Sequence, residues 1–158
     1  MAFVFAVLVL PILSEKTNCG GNGYALTACA YFTTAAEIVG QENHSRFEMG
    51  KMTKSEGKAL QILAKEAWGV RNGDFLVKTN FPLGTTNNRQ VVVLCLREFA
   101  NIPRPTIWNF FHQNPAHAVG YSDGTTGLVS PTEFQSLDLS GFASAANLAT
   151  NSEFKIAE

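Results

Sequence analysis

Cys19 and His117 are the residues of this chain whose types suit nucleophilic catalysis. A thiol at the start of a helix has a lowered pKa, and an imidazole carried by a distant strand can take its proton. Asp123 or Asn114 would orient the ring, giving a triad recognised by geometry and not by chain order. The plainer reading places the same residues at ordinary helix and strand ends. Glu42, His44 and Glu48 are oxygen and nitrogen donors of metal-ligand type, but they fall on a polar stretch with no supporting second cluster, so a solvated loop is expected and neither metal nor other cofactor. His44, His112 and His117 lack the i, i+4 spacing of a zinc hydrolase helix. Gly20-Gly21-Asn22-Gly23 is not followed by Lys-Ser/Thr, so it reads as a kink or turn and not as a phosphate-binding loop.

Cys19, Cys29 and Cys95 permit one disulfide with a thiol left over, and no C-x-x-C spacing points to zinc. Ten helical residues would hold Cys19 and Cys29 about 15 Å apart, so those two pair only if the helix begins after Cys19. The 158 residues suffice for one domain with a real core. With 12 Lys+Arg against 13 Asp+Glu, the net charge of −1 supplies no basic face for phosphates, and no nucleic-acid partner is expected. Hydrophobic residues at 46% place the chain among folded proteins, with a surface made polar largely by Asn, Thr, Ser and Gly.

The elements that must position these residues follow from periodicity. Leu26, Cys29 or Ala30, Phe32 or Thr33, Ala36 and Val39 recur at helical spacing, which predicts an amphipathic helix from Tyr24 to about Gly40, interrupted upstream by Asn18-Cys-Gly-Gly-Asn-Gly23. Thr53-Lys-Ser-Glu56 is a capping box leading into Ala59, Leu60, Leu63 and Ala67, a second helix that should stop before Gly69. Beyond Asn72-Gly73 the pattern turns to strands. Gln90–Arg97 is the strongest, followed by Thr106–Phe111, His117–Ser122 and Thr126–Val129, with Asp123-Gly124 as a hairpin turn. Ser130-Pro-Thr-Glu133 opens a short helix. The expected fold is α+β, a helix on an antiparallel sheet of three to five strands, with Val91, Val93, Ile107 and Val119 in the core.

Residues 2–13 form an uninterrupted apolar run, after which Ser14, Glu15 and Lys16 return the chain to water. A spanning helix needs about 20 apolar residues, so the run does not cross a bilayer unaided. It reads as a signal-peptide core, as the remaining half of a membrane-embedded helix, or as a buried core element. The second reading makes Phe3, Val4, Phe5, Val7, Leu8, Val9, Leu10, Ile12 and Leu13 an assembly or membrane surface. The divisions are then an apolar segment at 1–17, a globular domain at 18–138 and a weakly structured tail at 139–158.

Two resemblances bear on function. Cys19-Gly-Gly and His117-Ala-Val-Gly-Tyr resemble the papain-like cysteine peptidases, in which Cys opens a helix and His begins a strand; Cys19, His117 and Asp123 would then be catalytic. In that family the orienting carboxylate sits on the next strand, whereas Asp123 follows His117 by six residues in a tight turn. More of the chain resembles the pilin-like proteins with a type IV prepilin N-terminus that planctomycetes and verrucomicrobia encode in large numbers. The residues are Val4–Ser14 with Glu15, Lys16 and Cys19, then Ala25–Phe47 ending Gln41-Glu-Asn-His-Ser-Arg-Phe, then Val119–Phe134, with Gln90–Arg97 as the preceding strand. The family's processing site and helix glutamate are not matched, and the glycines interrupt a helix that is continuous in the family. The resemblance implies an exported, non-enzymatic pilin or pseudopilin-like subunit, of the type IV pilin and type II secretion kind. Such a subunit is tethered at the inner membrane or assembled into an extracellular filament, with other pilin-like subunits or lipid as partners through residues 2–13.

Overall fold

The computed structural model describes residues 19–85, 87–101 and 114–150. The apolar run 2–13 and the predicted strand Thr106–Phe111, with Ile107, lie outside the described residues. The long helix α1 (Cys19–Glu42) lies across a six-stranded antiparallel sheet, the arrangement expected of an α+β fold of pilin-like description. The order of elements after α1 is β1 (Arg46–Glu48), a short 3-10 turn (Met49–Lys51), α2 (Lys54–Ala64), β2 (Phe75–Lys78), β3 (Asn80–Pro82), β4 (Val91–Cys95) and β5 (Phe99–Asn101). There follow β6 (Asn114–Tyr121), β7 (Thr126–Val129), α3 (Pro131–Gln135), β8 (Phe142–Ser144) and α4 (Ala145–Thr150).

α1 forms because its apolar residues repeat at three and four. Ala25, Ala28, Cys29, Phe32, Ala36 and Val39 are all buried on one side. The helix does not wait for Tyr24. It runs through Gly20, Gly21 and Gly23, which the sequence pattern reads as a break. Each interior glycine costs about 1 kcal/mol relative to Ala, and tertiary contact offsets this: the Tyr24 hydroxyl donates to Ile62 O at 3.0 Å, pinning the first turns of α1 to the last turn of α2. A continuous helix also settles one pairing. Cys19 and Cys29 are held about 15 Å apart along it, so they form no disulfide, and Cys29 and Cys95 are free, buried thiols.

α2 starts where its capping box places it. The Thr53 side chain accepts from the backbone of the first turn, and Glu56 reaches back to the Thr53 N–H. Ala59, Leu60 and Leu63 are buried.

In the sheet β4 pairs with β2 on one side and β6 on the other, β2 pairs on with β8, and β7 pairs with β6 through the 122–125 turn. β5 pairs with the first residues of β6, Phe99 opposite Ala116. A register shift between Val91 and Val93 puts both Val92 and Val93 on the helix side, while Leu94 faces away. A second, two-stranded sheet joins β1 to β3 with Phe47 opposite Phe81. The two phenyl rings and Phe32 form an aromatic cluster, with centroids at 4.8 Å for Phe47–Phe81 and 5.7 Å for Phe32–Phe47.

α1 comes close to the sheet at Gly120. A Cβ there would lie 2.6 Å from both Thr33 Cγ2 and Val93 Cγ1, so only glycine lets the helix settle at this distance. Among the described residues the main sheet has six strands where three to five were expected, and Val93 and Val119 are buried while Val91 is partly so. Within 139–158, which reads as a weakly structured tail, β8 adds an edge to the sheet and α4 buries Ala145 in the core.

Candidate functional site

His117 belongs to the face of the sheet that α1 does not cover. Strand alternation aligns it with Val119, and its ring stacks on Phe134 of α3 at 3.9 Å between centroids and 19° between planes. Its Nδ1 lies 3.2 Å from Cys95 O, so in the neutral ring the Nδ1–H donates to that carbonyl, and the residue is 6% exposed. The Phe134 ring and the Cys95 carbonyl hold the imidazole as a core group.

Asp123 sits in the β6–β7 turn, where Gly124 takes φ +81°. Its Oδ1 accepts from both the N–H and the hydroxyl of Thr125. Partial burial pushes its carboxyl up, but those two bonds and the Arg89 guanidinium outweigh burial and hold it below the usual carboxylate range. It orients its own turn and makes no bond to His117. Asn114 is exposed at the start of β6. The backbone of Cys19 opens α1, on the other side of the sheet from His117, and its side chain lies outside the described residues. Burial pushes the Cys29 thiol well up, with the nearby Cys95 adding to it, and burial pushes Cys95 up to about 12; neither is a thiolate at neutral pH.

Glu42 ends α1, His44 lies in the following turn with φ +52°, and Glu48 ends β1. Among the described residues no group of three or more His, Cys, Asp or Glu is placed to hold a metal ion. None of their helices is long and apolar enough to cross a membrane. The predicted assembly residues Phe3, Val4, Phe5, Val7, Leu8, Val9, Leu10, Ile12 and Leu13 lie outside the described residues.

A different feature emerges on the flank of α1. Beside the buried stripe runs a second one, Thr27, Ala30, Tyr31, Thr34, Ala35 and Ile38, at the same three-to-four spacing. α2 runs antiparallel alongside, since its last turn meets Tyr24 near the start of α1. The small side chains Ala30, Ala35 and Ala59 leave a trough of about 530 Å³ between the helices, walled by Tyr31, Ile38 and Ile62 and rimmed by Ser55, Glu56 and Lys58. Tyr31 is 55% exposed and Ile38 46%, so two large apolar side chains stand uncovered along one groove. The signal was present in the sequence as apolar residues of α1 left over once the inward stripe is assigned. Its meaning depends on α2 being alongside, which no local pattern gives.

No family model, curated protein or solved structure matches the chain.

Proposed function

We propose that this chain is a non-catalytic structural subunit of pilin or pseudopilin type, exported to the cell envelope, which works by burying apolar helical surface against neighbouring copies or lipid. The observation that carries this reading is the placement of α1. A 24-residue helix is fixed across one face of an antiparallel sheet, and in sequence it follows the apolar run 2–13 after the polar residues Ser14–Asn18. Twelve residues without one polar side chain need cover from lipid or protein, at about 25 cal/mol per Å² of apolar area removed from water. His117 is consumed in packing, and the two described thiols are buried and protonated, so the reading asks for no bond-making step.

The test is flotation of the full chain with lipid vesicles, beside Val7→Asp. A carboxylate in the middle of an apolar segment costs about 2.5–3.5 kcal/mol on insertion, so the substitution should lower vesicle binding about 100-fold. Equal flotation of the two proteins, or flotation of neither together with no oligomer, would overturn the reading.

A further inference from the structure

Trp68 stands at an unusual place for so large a side chain. α2 ends at Ala64, and the chain then doubles back through a two-residue turn, closed by Ala67 N–H to Val70 O at 3.2 Å and Val70 N–H to Ala67 O at 2.9 Å. Trp68 takes φ +52° and Gly69 φ +79°, so both central residues have positive φ, as in the tight hairpin turn for which Asn-Gly is the preferred pair. Bulky residues rarely adopt that backbone. The base of the turn is fixed by Val70, buried in the core, while the indole at its tip is 66% exposed. A strained position that leaves most of an indole in water fits a role outside the chain's own packing.

Lys65 and Arg71, both exposed, flank the tip in sequence. The neighbouring carboxylates are turned onto backbone: Glu66 Oε1 accepts from the Asn72 N–H at 3.3 Å, and Asp74 Oδ2 accepts from the Arg71 N–H at 2.7 Å. The turn lies at the end of the molecule where α1 begins, because the Tyr24 hydroxyl reaches Ile62 O at 3.0 Å and Lys65 O at 3.3 Å. Trp68 follows Lys65 by three residues, at most about 11 Å of chain. In sequence the polar residues Ser14–Asn18 separate the run 2–13 from α1. Whatever surface takes up that run is therefore tethered within about 22 Å of the start of α1.

The geometry points to Trp68 as a second lipid contact: its indole seats in the headgroup interface of the bilayer that takes up residues 2–13, with Lys65 and Arg71 reaching phosphates beside it. The inference rests on the proposed reading of 2–13 and adds which part of the folded domain meets the membrane. Tryptophan suits that depth, since its ring body is apolar and its N–H is polar. Long basic side chains lay their stems along the apolar layer and keep their charges among phosphates. A protein partner fits less well, because a stable complex takes about 800 Å² from each side and the tip of a two-residue turn offers one ring.

The test uses the full chain carrying Trp108→Phe, so that Trp68 is the remaining indole. It is mixed with vesicles of phosphatidylcholine and phosphatidylglycerol, and with matched vesicles brominated in the acyl chains. Vesicles should move the emission of Trp68 to the blue, and the brominated ones should quench it. Trp68→Asn gives the turn its preferred residue and should lower vesicle binding in flotation about tenfold, since an aromatic side chain of this kind offers about 150–250 Å² to bury. Leu139→Asn, at an exposed apolar residue ahead of β8, should bind as the parent does. Circular dichroism should show every variant folded. Flotation of the parent with the emission of Trp68 unmoved would overturn the anchor and leave the reading of 2–13. The anchor falls equally if Leu139→Asn is as damaging as Trp68→Asn, or if the blue shift needs no vesicles and grows with protein concentration, which would give the turn to a second copy. A blue shift and flotation kept by Val7→Asp would do the reverse, supporting the anchor and removing the reading of 2–13; no flotation at all would overturn both.

Discussion

Replacing Gly120 by alanine tests how closely α1 is seated on the sheet. The added methyl would stand 2.6 Å from Thr33 Cγ2 and 2.6 Å from Val93 Cγ1, with Cys29 Cβ at 3.5 Å behind them. Carbon atoms rest at about 3.5–4.0 Å, so both close contacts are about 1 Å too short. Thr33 and Val93 are β-branched and stiff at χ1, and both are buried, so neither methyl can swing aside at small cost. The Thr33 hydroxyl is within hydrogen-bonding distance of Ala30 O at 3.1 Å and Gly124 O at 3.2 Å, which ties its rotamer further. Overpacking of this kind costs about 1–3 kcal/mol. For a chain of this size about 2 kcal/mol corresponds to a fall of about 4–8 °C in Tm. Urea unfolding followed by circular dichroism should show a lower midpoint at unchanged slope. Thr33→Ser keeps the hydroxyl and removes one of the two obstructing methyls. Combined with Gly120→Ala it should return part of the loss, a coupling of about 0.5–2 kcal/mol in a double-mutant cycle. A Gly120→Ala protein within about 0.5 kcal/mol of the parent, or additive effects in the cycle, would mean that the helix does not lie on β6 at this distance.

Phe32→Ala should be among the most damaging single changes, costing about 3–5 kcal/mol in urea unfolding, since it empties the junction of α1 with the Phe47–Phe81 pair. Ser130→Ala should cost about 1 kcal/mol through loss of the cap on α3. Cys29 and Cys95 should resist a thiol reagent at pH 8 in the native chain and react once urea unfolds it; fast native labelling of either would contradict their burial and raised pKa. The lowered pKa of Asp123 stabilises the fold above the carboxyl's unfolded value, and that contribution is lost as pH falls through the lower folded value. Asp123→Asn should therefore destabilise at pH 7 and matter progressively less below about pH 4, as measured by urea midpoints across pH.

What the sequence made legible was local. Thr53 with Glu56, and Ser130 with Glu133, each make their box within four residues, so type and spacing were enough to place two helix starts. Asp123-Gly124 marked the β6–β7 turn, and Thr126–Val129 is a strand over those same residues. The inward stripe of α1 was readable because Phe32, Ala36 and Val39 bury against the sheet at helical period. β1, β3, β5 and β8 were not, because three residues are too few to show alternation, and only pairing defines them. The glycines at 20, 21 and 23 misled because local entropy argues for a break while the Tyr24–Ile62 bond and the buried face of α1 argue for a helix. His117 and Asp123 make no bond to each other for a topological reason: side chains of a strand alternate between faces, and one step in phase decides whether His117 meets α1 or α3. The groove was hidden for the same kind of reason, since Tyr31 and Ile38 form a wall only once α2 is alongside.

The claim that apolar helical surface is what this chain works with is tested most directly by sedimentation velocity in the presence of lipid vesicles, reading the fraction that remains free monomer. The full chain and a chain beginning at Ser14 are compared, with circular dichroism confirming that both are folded. The full chain should leave little free monomer, with the rest on vesicles or in oligomers, while the shorter chain should remain free, folded and monomeric. Equal free fractions for the two, or an unfolded shorter chain, would make residues 2–13 an ordinary part of the core and contradict the claim.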